Sequence, residues 1–457
     1  PPPTDGAIVR TGEEGQERER REAWLELMHQ AAPGDDWRQM EYRNRMQRQA
    51  ERLQQSLFRS GCSQETLADG QLRGSWQERG STNQAGSILE TTYDPETDEI
   101  WLISAGGTLW RGGRLGLDWE AVNQSLQFGR GLLQFIPHGT GRRLLAFAGR
   151  MPHYSDDDGL SWTRATGINH NDQWGNIHSP VLLDDGENFP VFVLAKPDYW
   201  ANIRLYHSIG QGEAYLPRSV FSTNEFSRLA LAIPHHSGRV LLVEKKENGE
   251  GWIYEADPIT GQLERINEGT NLNFGNARAN LAGALSEGQL HLYAYTGAEE
   301  EVRRLYHSLD GGVNWELKGN LPAAPWEVGL YVSPSNPGEL YMGEVECYRS
   351  LNGGQQWQKV NDWQEYYADI EGSLHADIMD IAEFETAQGQ PFLLVSNHGG
   401  LSLSEDRLES AANIGLYGLN VSQYYSVRTD PANPAFVYAG SQDQGFQRSG
   451  QFEGEGP

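Results

Sequence analysis

From about residue 72 onward the chain is built of short apolar-rich runs, among them Ile88-Leu89-Glu90-Thr91-Thr92-Tyr93, Glu99-Ile100-Trp101-Leu102-Ile103-Ser104 and Thr108-Leu109-Trp110. Asp94-Pro95 and Gly106-Gly107 punctuate them, so the pattern predicts strands of about five or six residues joined by turns. Helical spacing does not return convincingly downstream. Residues 14–60 read differently. After the mixed-charge block Glu17 to Glu22, residues Trp24, Leu25, Leu27 and Met28 supply the apolar face of a helix that ends near Pro33-Gly34. Asp35-Asp36 offers a cap, and Tyr42, Met46, Ala50, Leu53 and Leu57 then recur at helical intervals. Two helices that cover a neighbouring surface are expected there. The organisation is an extended N-terminus over 1–13, a helical segment over 14–71 and a strand-rich region over 72–457.

Internal repetition decides the architecture. Ser155-Asp156-Asp157-Asp158-Gly159-Leu160-Ser161-Trp162 has the form S-x-D-x-G-x-x-W. The frame recurs as Ser308, Asp310, Gly312 and Trp315, and again as Ser350, Asn352, Gly354 and Trp357. Gly112, Arg114, Gly116 and Trp119 keep part of it, as do Ser208, Gly212 and Tyr215. Its last position falls at 119, 162, 215, 315 and 357, a period of about 40 to 50 residues with one silent unit at Arg239 to Asn267. Units of that length holding about four short strands are propeller blades. The Ser and Asp side chains can bind turn backbone, Gly supplies a conformation closed to other residues, and Trp buries a large ring between blades.

The predicted fold is therefore an all-β propeller of about seven or eight four-stranded blades, preceded by the helical segment. Blades are expected at 86–123, 128–167, 176–218, 226–267, 278–319, 325–362 and 375–415, with an eighth begun at Val421. Trp76-Gln77-Glu78-Arg79-Gly80 resembles the strand after each repeated turn and could complete a final blade.

Charge narrows the function. With 36 Lys+Arg against 63 Asp+Glu the net charge is −27, which argues against a nucleic-acid groove or an anionic-membrane clamp. No run approaches the roughly 20 apolar residues of a spanning helix. The 14 Trp and 53 Gly belong to a rigid, turn-rich fold rather than a disordered acidic chain. Cys62 and Cys347 are either a disulfide or two buried thiols. The first methionine is Met28, so residue 1 is not an initiator, and a removed leader or a fragment is expected.

The repeated turns resemble Asp-box (bacterial neuraminidase) repeats, as found in sialidases, xyloglucanases and sortilin-type propellers. The wider resemblance is to secreted sortilin-like propeller proteins common in Bacteroidetes. It is carried by Trp24 with Met28-His29 and Pro33 to Trp37, by Gly74 to Gly86, by His375-Ala376-Asp377 and by Ser441-Gln442-Asp443-Gln444-Gly445. It implies an extracellular or cell-surface location and further domains of a larger protein. The family's H-x-D motif often carries a second His two residues on, where this chain has Met379.

Propellers place ligands at the channel mouth, on loops from several blades. The candidate binding residues there are His375, Asp377, Asn397, His398, Gln442 and Asp443. An H-x-D pair puts both side chains on one side of an extended strand, and bracing between blades is preferred over a metal role. No metal or cofactor is assigned; the run Asp156, Asp157 and Asp158 is the one place where Ca²⁺ is conceivable. Loops His170 to His178 and Pro197-Asp198-Tyr199-Trp200 carry aromatic and amide groups suited to a sugar ring or a peptide. Phe135-Ile136-Pro137 and Ala232-Ile233-Pro234 lack the Arg of the sialidase signature, and P-loop, H-E-x-x-H, C-x-x-C and G-x-S-x-G motifs are missing. The expected role is a binding module for glycan or extracellular protein ligands. A xyloglucanase-like glycoside hydrolase, needing two facing carboxylates, is the alternative, and a structural scaffold the second.

Overall fold

The computed structural model describes residues 85–449 apart from 124–125, 171–174, 268–270, 297–302, 324–328, 434–435 and 442. Asp36, residues 39–40, 43–44 and 47 and the backbone of 66–67 and 72–73 are also described. The chain divides into two compact units, 1–51 and 52–457. In the first unit, Asp36 accepts the Gln39 N–H on Oδ1 at 3.4 Å and the Met40 N–H on its carbonyl at 3.0 Å, the bonding of a helix start. The preceding helix, the segment Gly74–Gln84 and Cys62 lie outside the described residues.

Among the described residues of the second unit, seven four-stranded antiparallel sheets follow one another at 88–123, 128–164, 176–220, 229–265, 279–320, 329–359 and 378–413. They are numbered blades 1 to 7. Within each, strands pair in chain order, and the first strands of blades 1 to 6 adjoin in sequence while that of blade 7 adjoins blade 1. First strands therefore line the axis of a closed β-propeller and fourth strands form its rim. Closure falls at seven blades: Ile88 and Leu102 of blade 1 share one buried cluster with Phe392, Leu394 and Leu401 of blade 7. Among the described residues, each of these seven blades takes its four strands from one continuous stretch. The region after Val421 is a separate three-stranded sheet over 424–449, with Tyr425, Val427 and Phe446 exposed.

Second strands explain the core. Ile100 to Ile103, Leu144 to Phe147, Phe192 to Leu194 and Leu393 to Val395 are apolar on both faces because each blade packs against a neighbour on either side. The repeated turns join third to fourth strands. Ser155 Oγ donates to Asp157 Oδ1 at 2.8 Å and accepts the Gly159 N–H at 2.8 Å, while Trp162 Nε1 donates to the Gly159 carbonyl at 2.9 Å. The Ser308 turn matches this at 2.9, 3.0 and 3.0 Å, and the Ser350 turn at 3.1, 2.9 and 3.1 Å. Trp162 joins Trp101 and Leu109 of blade 1 and Leu144 of blade 2 in one cluster, and its ring meets Phe128 edge-on at 4.8 Å.

A further copy of this turn carries neither Gly nor Trp. Ser404 Oγ donates to Asp406 at 2.9 Å and accepts the Leu408 N–H at 2.9 Å, and Leu408 takes a φ of 60° where its counterparts are glycines. By contrast, the Ser208 hydroxyl accepts from Val191 N at 2.7 Å, so in blade 3 it binds a neighbouring strand. Asp156 and Asp158 do not assemble a cation cluster. Asp156 binds Arg143 at 2.6 and 2.9 Å, Asp158 binds Arg142 at 2.8 Å, and Asp157 is committed to the turn. Cys347 is a free thiol, 2% exposed, and burial pushes it up to about 12.

Candidate ligand-binding face

Strand alternation sorts the loops. The segments entering each first strand and the turns between second and third strands share one face, while the repeated turns lie on the other. Asp377 immediately precedes the first strand of blade 7, Ile378–Glu385, and Asn397 to Gly400 form that blade's second-to-third turn. Three of the six candidate residues meet at this corner. His398 Nδ1 lies 3.1 Å from Asp377 Oδ2 and 2.9 Å from Asp443 Oδ2. Asp443 belongs to the three-stranded sheet, so the imidazole ties that sheet to blade 7. Burial opposes its charge, but bonds to the two carboxylates prevail and push His398 up to about 9.

His375 and Asp377 do not share one side of a strand, because Asp377 adopts a φ of 63° ahead of the strand and turns toward His398 instead. His375 is 3% exposed, its Nδ1 lies 2.9 Å from the Ala376 carbonyl, and its ring sits edge-on to Tyr366 at 4.6 Å. Burial lowers its pKa. Asn397 is buried and stays within its turn, accepting the Gly399 N–H at 2.8 Å. Gln442 lies outside the described residues. Its neighbour Gln444 donates from Nε2 to the His398 carbonyl at 2.8 Å.

On blade 3 the same face carries an aromatic pair. Trp200 is 81% exposed and Tyr199 46% exposed, with ring centroids 4.7 Å apart at 86°. Asp198 Oδ1 accepts the Trp200 and Ala201 N–H groups at 3.2 and 2.8 Å, and Lys196 Nζ donates to the Tyr199 carbonyl at 3.3 Å. These bonds fix the loop around two projecting rings. At blade 1 a cavity of about 260 Å³ is lined by Ser87, Trp110, Asn420 and Gln423 among others. Ser87 Oγ, Trp110 Nε1 and Asn420 Oδ1 have no hydrogen-bond partner in it.

Sequence reasoning missed an acidic pair on the axis. Glu90 on the first strand of blade 1 accepts the Gly131 N–H at 3.1 Å, and Asp380 on that of blade 7 accepts from Thr91 Oγ1 at 3.4 Å. Arg130, on the first strand of blade 2, donates to the Met379 carbonyl of blade 7 at 2.6 Å. Burial, and for Glu90 the neighbouring Asp380, raise both carboxyls. The polar run Glu90-Thr91-Thr92 on an inner strand was an available sign.

No family model and no curated protein matches the chain. Among solved structures, a GH74 enzyme from Niastella koreensis superposes with a TM-score of 0.53 at 14% identity, covering 82% of this chain and 60% of its own. The GH74 xyloglucanase from Xanthomonas campestris gives 0.54 at 14% identity, covering 83% and 62%. The chain thus spans about three fifths of each neighbour. At this identity what is shared is the fold, and the chain is a β-propeller similar in architecture to the propeller portion of those enzymes.

Proposed function

We propose that the chain is a secreted or cell-surface propeller of the Asp-box, sortilin-like type that acts as a glycan-binding module. The reading is carried by the Tyr199–Trp200 platform. An indole left 81% in water costs solvation unless a flat apolar ligand covers it, and the face of a sugar ring is such a ligand. The loop is held by Asp198 and Lys196 before any ligand arrives, so little ordering remains to be done on binding. Hydroxyl and amide groups in the blade 1 cavity suit the polar rim of the same ligand class. The xyloglucanase name of one neighbour agrees with a polysaccharide ligand but adds no residue to the argument.

Affinity electrophoresis through gels containing soluble plant and bacterial polysaccharides tests this. Retardation by at least one polysaccharide is expected, lost in Trp200→Ala with unchanged thermal stability. Equal retardation of Trp200→Ala, or none with any polysaccharide, overturns the reading. Release of new reducing ends would make the protein a hydrolase, and a tightly co-purifying protein without glycan affinity would make it a scaffold.

A further inference from the structure

We infer that Asp377, His398 and Asp443 form a binding site for a divalent transition-metal ion that joins blade 7 to the three-stranded sheet. One donor atom from each of the three, a carboxylate oxygen, an imidazole nitrogen and a second carboxylate oxygen, lies within 4.8 Å of the other two. That is the spacing of atoms sharing one small cation. They arrive from three separate places: the segment before residue 378, the 397–400 turn and the turn near 443. Asp377 and Asp443 both hold positive φ values, 63° and 64°, so the backbone is bent to turn each carboxylate inward.

Two neighbouring acceptors lack partners. Gln444 uses its Nε2 on the His398 carbonyl, while its Oε1 is buried and unbonded. His375 uses Nδ1 on the Ala376 carbonyl, leaving a buried, unpartnered Nε2 in the field of Asp443, His398 and Asp377. A ring that spends one nitrogen on a backbone carbonyl and keeps the other free is oriented as metal-binding histidines are. Buried acceptors left empty cost free energy, and a cation nearby removes that cost. The mixed oxygen and nitrogen donors favour Mn²⁺, Co²⁺ or Zn²⁺ over Ca²⁺, which prefers six or more oxygens.

Isothermal titration of the full chain with MnCl₂ and with ZnCl₂, after chelator treatment, provides the test. One saturable equivalent is expected, with CaCl₂ at least tenfold weaker. Asp443→Asn and His398→Ala should each weaken binding about tenfold or more, whereas Asp156→Asn, in the arginine-neutralised cluster, should not change it. Far-ultraviolet circular dichroism shows that each variant is folded. The Mn²⁺ electron paramagnetic resonance spectrum counts bound ion independently of heat. No saturable site, or a site that persists unchanged in Asp443→Asn, overturns the inference. The glycan reading stands or falls separately on Trp200.

Discussion

The repeated turns allow one backbone position to be compared in two surroundings. Gly312 and Gly354 occupy the same place in the frame, with φ values of 95° and 83°. A Cβ at Gly312 would meet Leu292, Ile253 and Ile266 atoms at 3.4–3.6 Å, ordinary contact distances. A Cβ at Gly354 would approach Leu305 Cδ2 to 2.2 Å, and Leu305 is fully buried, so it cannot swing aside freely. Gly312→Ala should therefore cost only the left-handed backbone term, about 1–2 kcal/mol. Gly354→Ala should add an overpacking term of about 1–3 kcal/mol. Leu408, at 60° in the equivalent position of blade 7, shows that a side chain is tolerated where its neighbours leave room. Urea unfolding followed by tryptophan fluorescence and circular dichroism gives the midpoints. Equal losses in the two variants, or a larger loss for Gly312→Ala, would refute the reasoning.

Two further outcomes follow from the described geometry. Glu90 holds its proton in the native protein at pH values where the unfolded chain has lost it, so stability should fall as pH rises above the ordinary carboxylate range. Glu90→Gln should flatten that fall in melting temperature between about pH 5 and 9; an unchanged slope would show that the pair is not the cause. Ser404→Ala should cost about 1–3 kcal/mol, because it strands the buried Leu408 N–H. Ser410→Ala, at an exposed hydroxyl, should be nearly silent in the same unfolding assay.

What the chain discloses by itself depends on whether a feature repeats. The Ser, Asp, Gly and Trp frame stands out because each copy solves the same local problem, a hairpin turn that must drop an aromatic ring between blades. The Ser404 turn escaped notice because Leu408 and Ala411 stand where glycine and tryptophan are looked for, although the serine makes the same two hydrogen bonds. His398, Asp377 and Asp443 could be named from short motifs, but not joined: an extended reading of Asp377 points it away from its partner, and only its bent backbone brings it round. Glu90 and Asp380 are 290 residues apart, and nothing local says that the first and last blades touch. Closure at seven blades was likewise hidden, since the sheet after Val421 has the same strand-and-turn texture as a blade.

Among the described residues no strand ladder crosses from blade 7 to blade 1, and the seam between them is built on side-chain packing. Ile88 and Leu394 meet across 306 residues of chain, whereas Trp101 and Leu144, at an ordinary blade boundary, are separated by 43. Loop-closure entropy grows with the logarithm of separation, so this boundary costs about 1.7 kcal/mol more to form than its neighbours. That is roughly one buried leucine's worth of transfer free energy, and the cluster of Ile88, Leu102, Phe392, Leu394 and Leu401 exceeds it several times over. The ring is thus a chain of local foldings whose last contact is cheap to hold once made but slow to find.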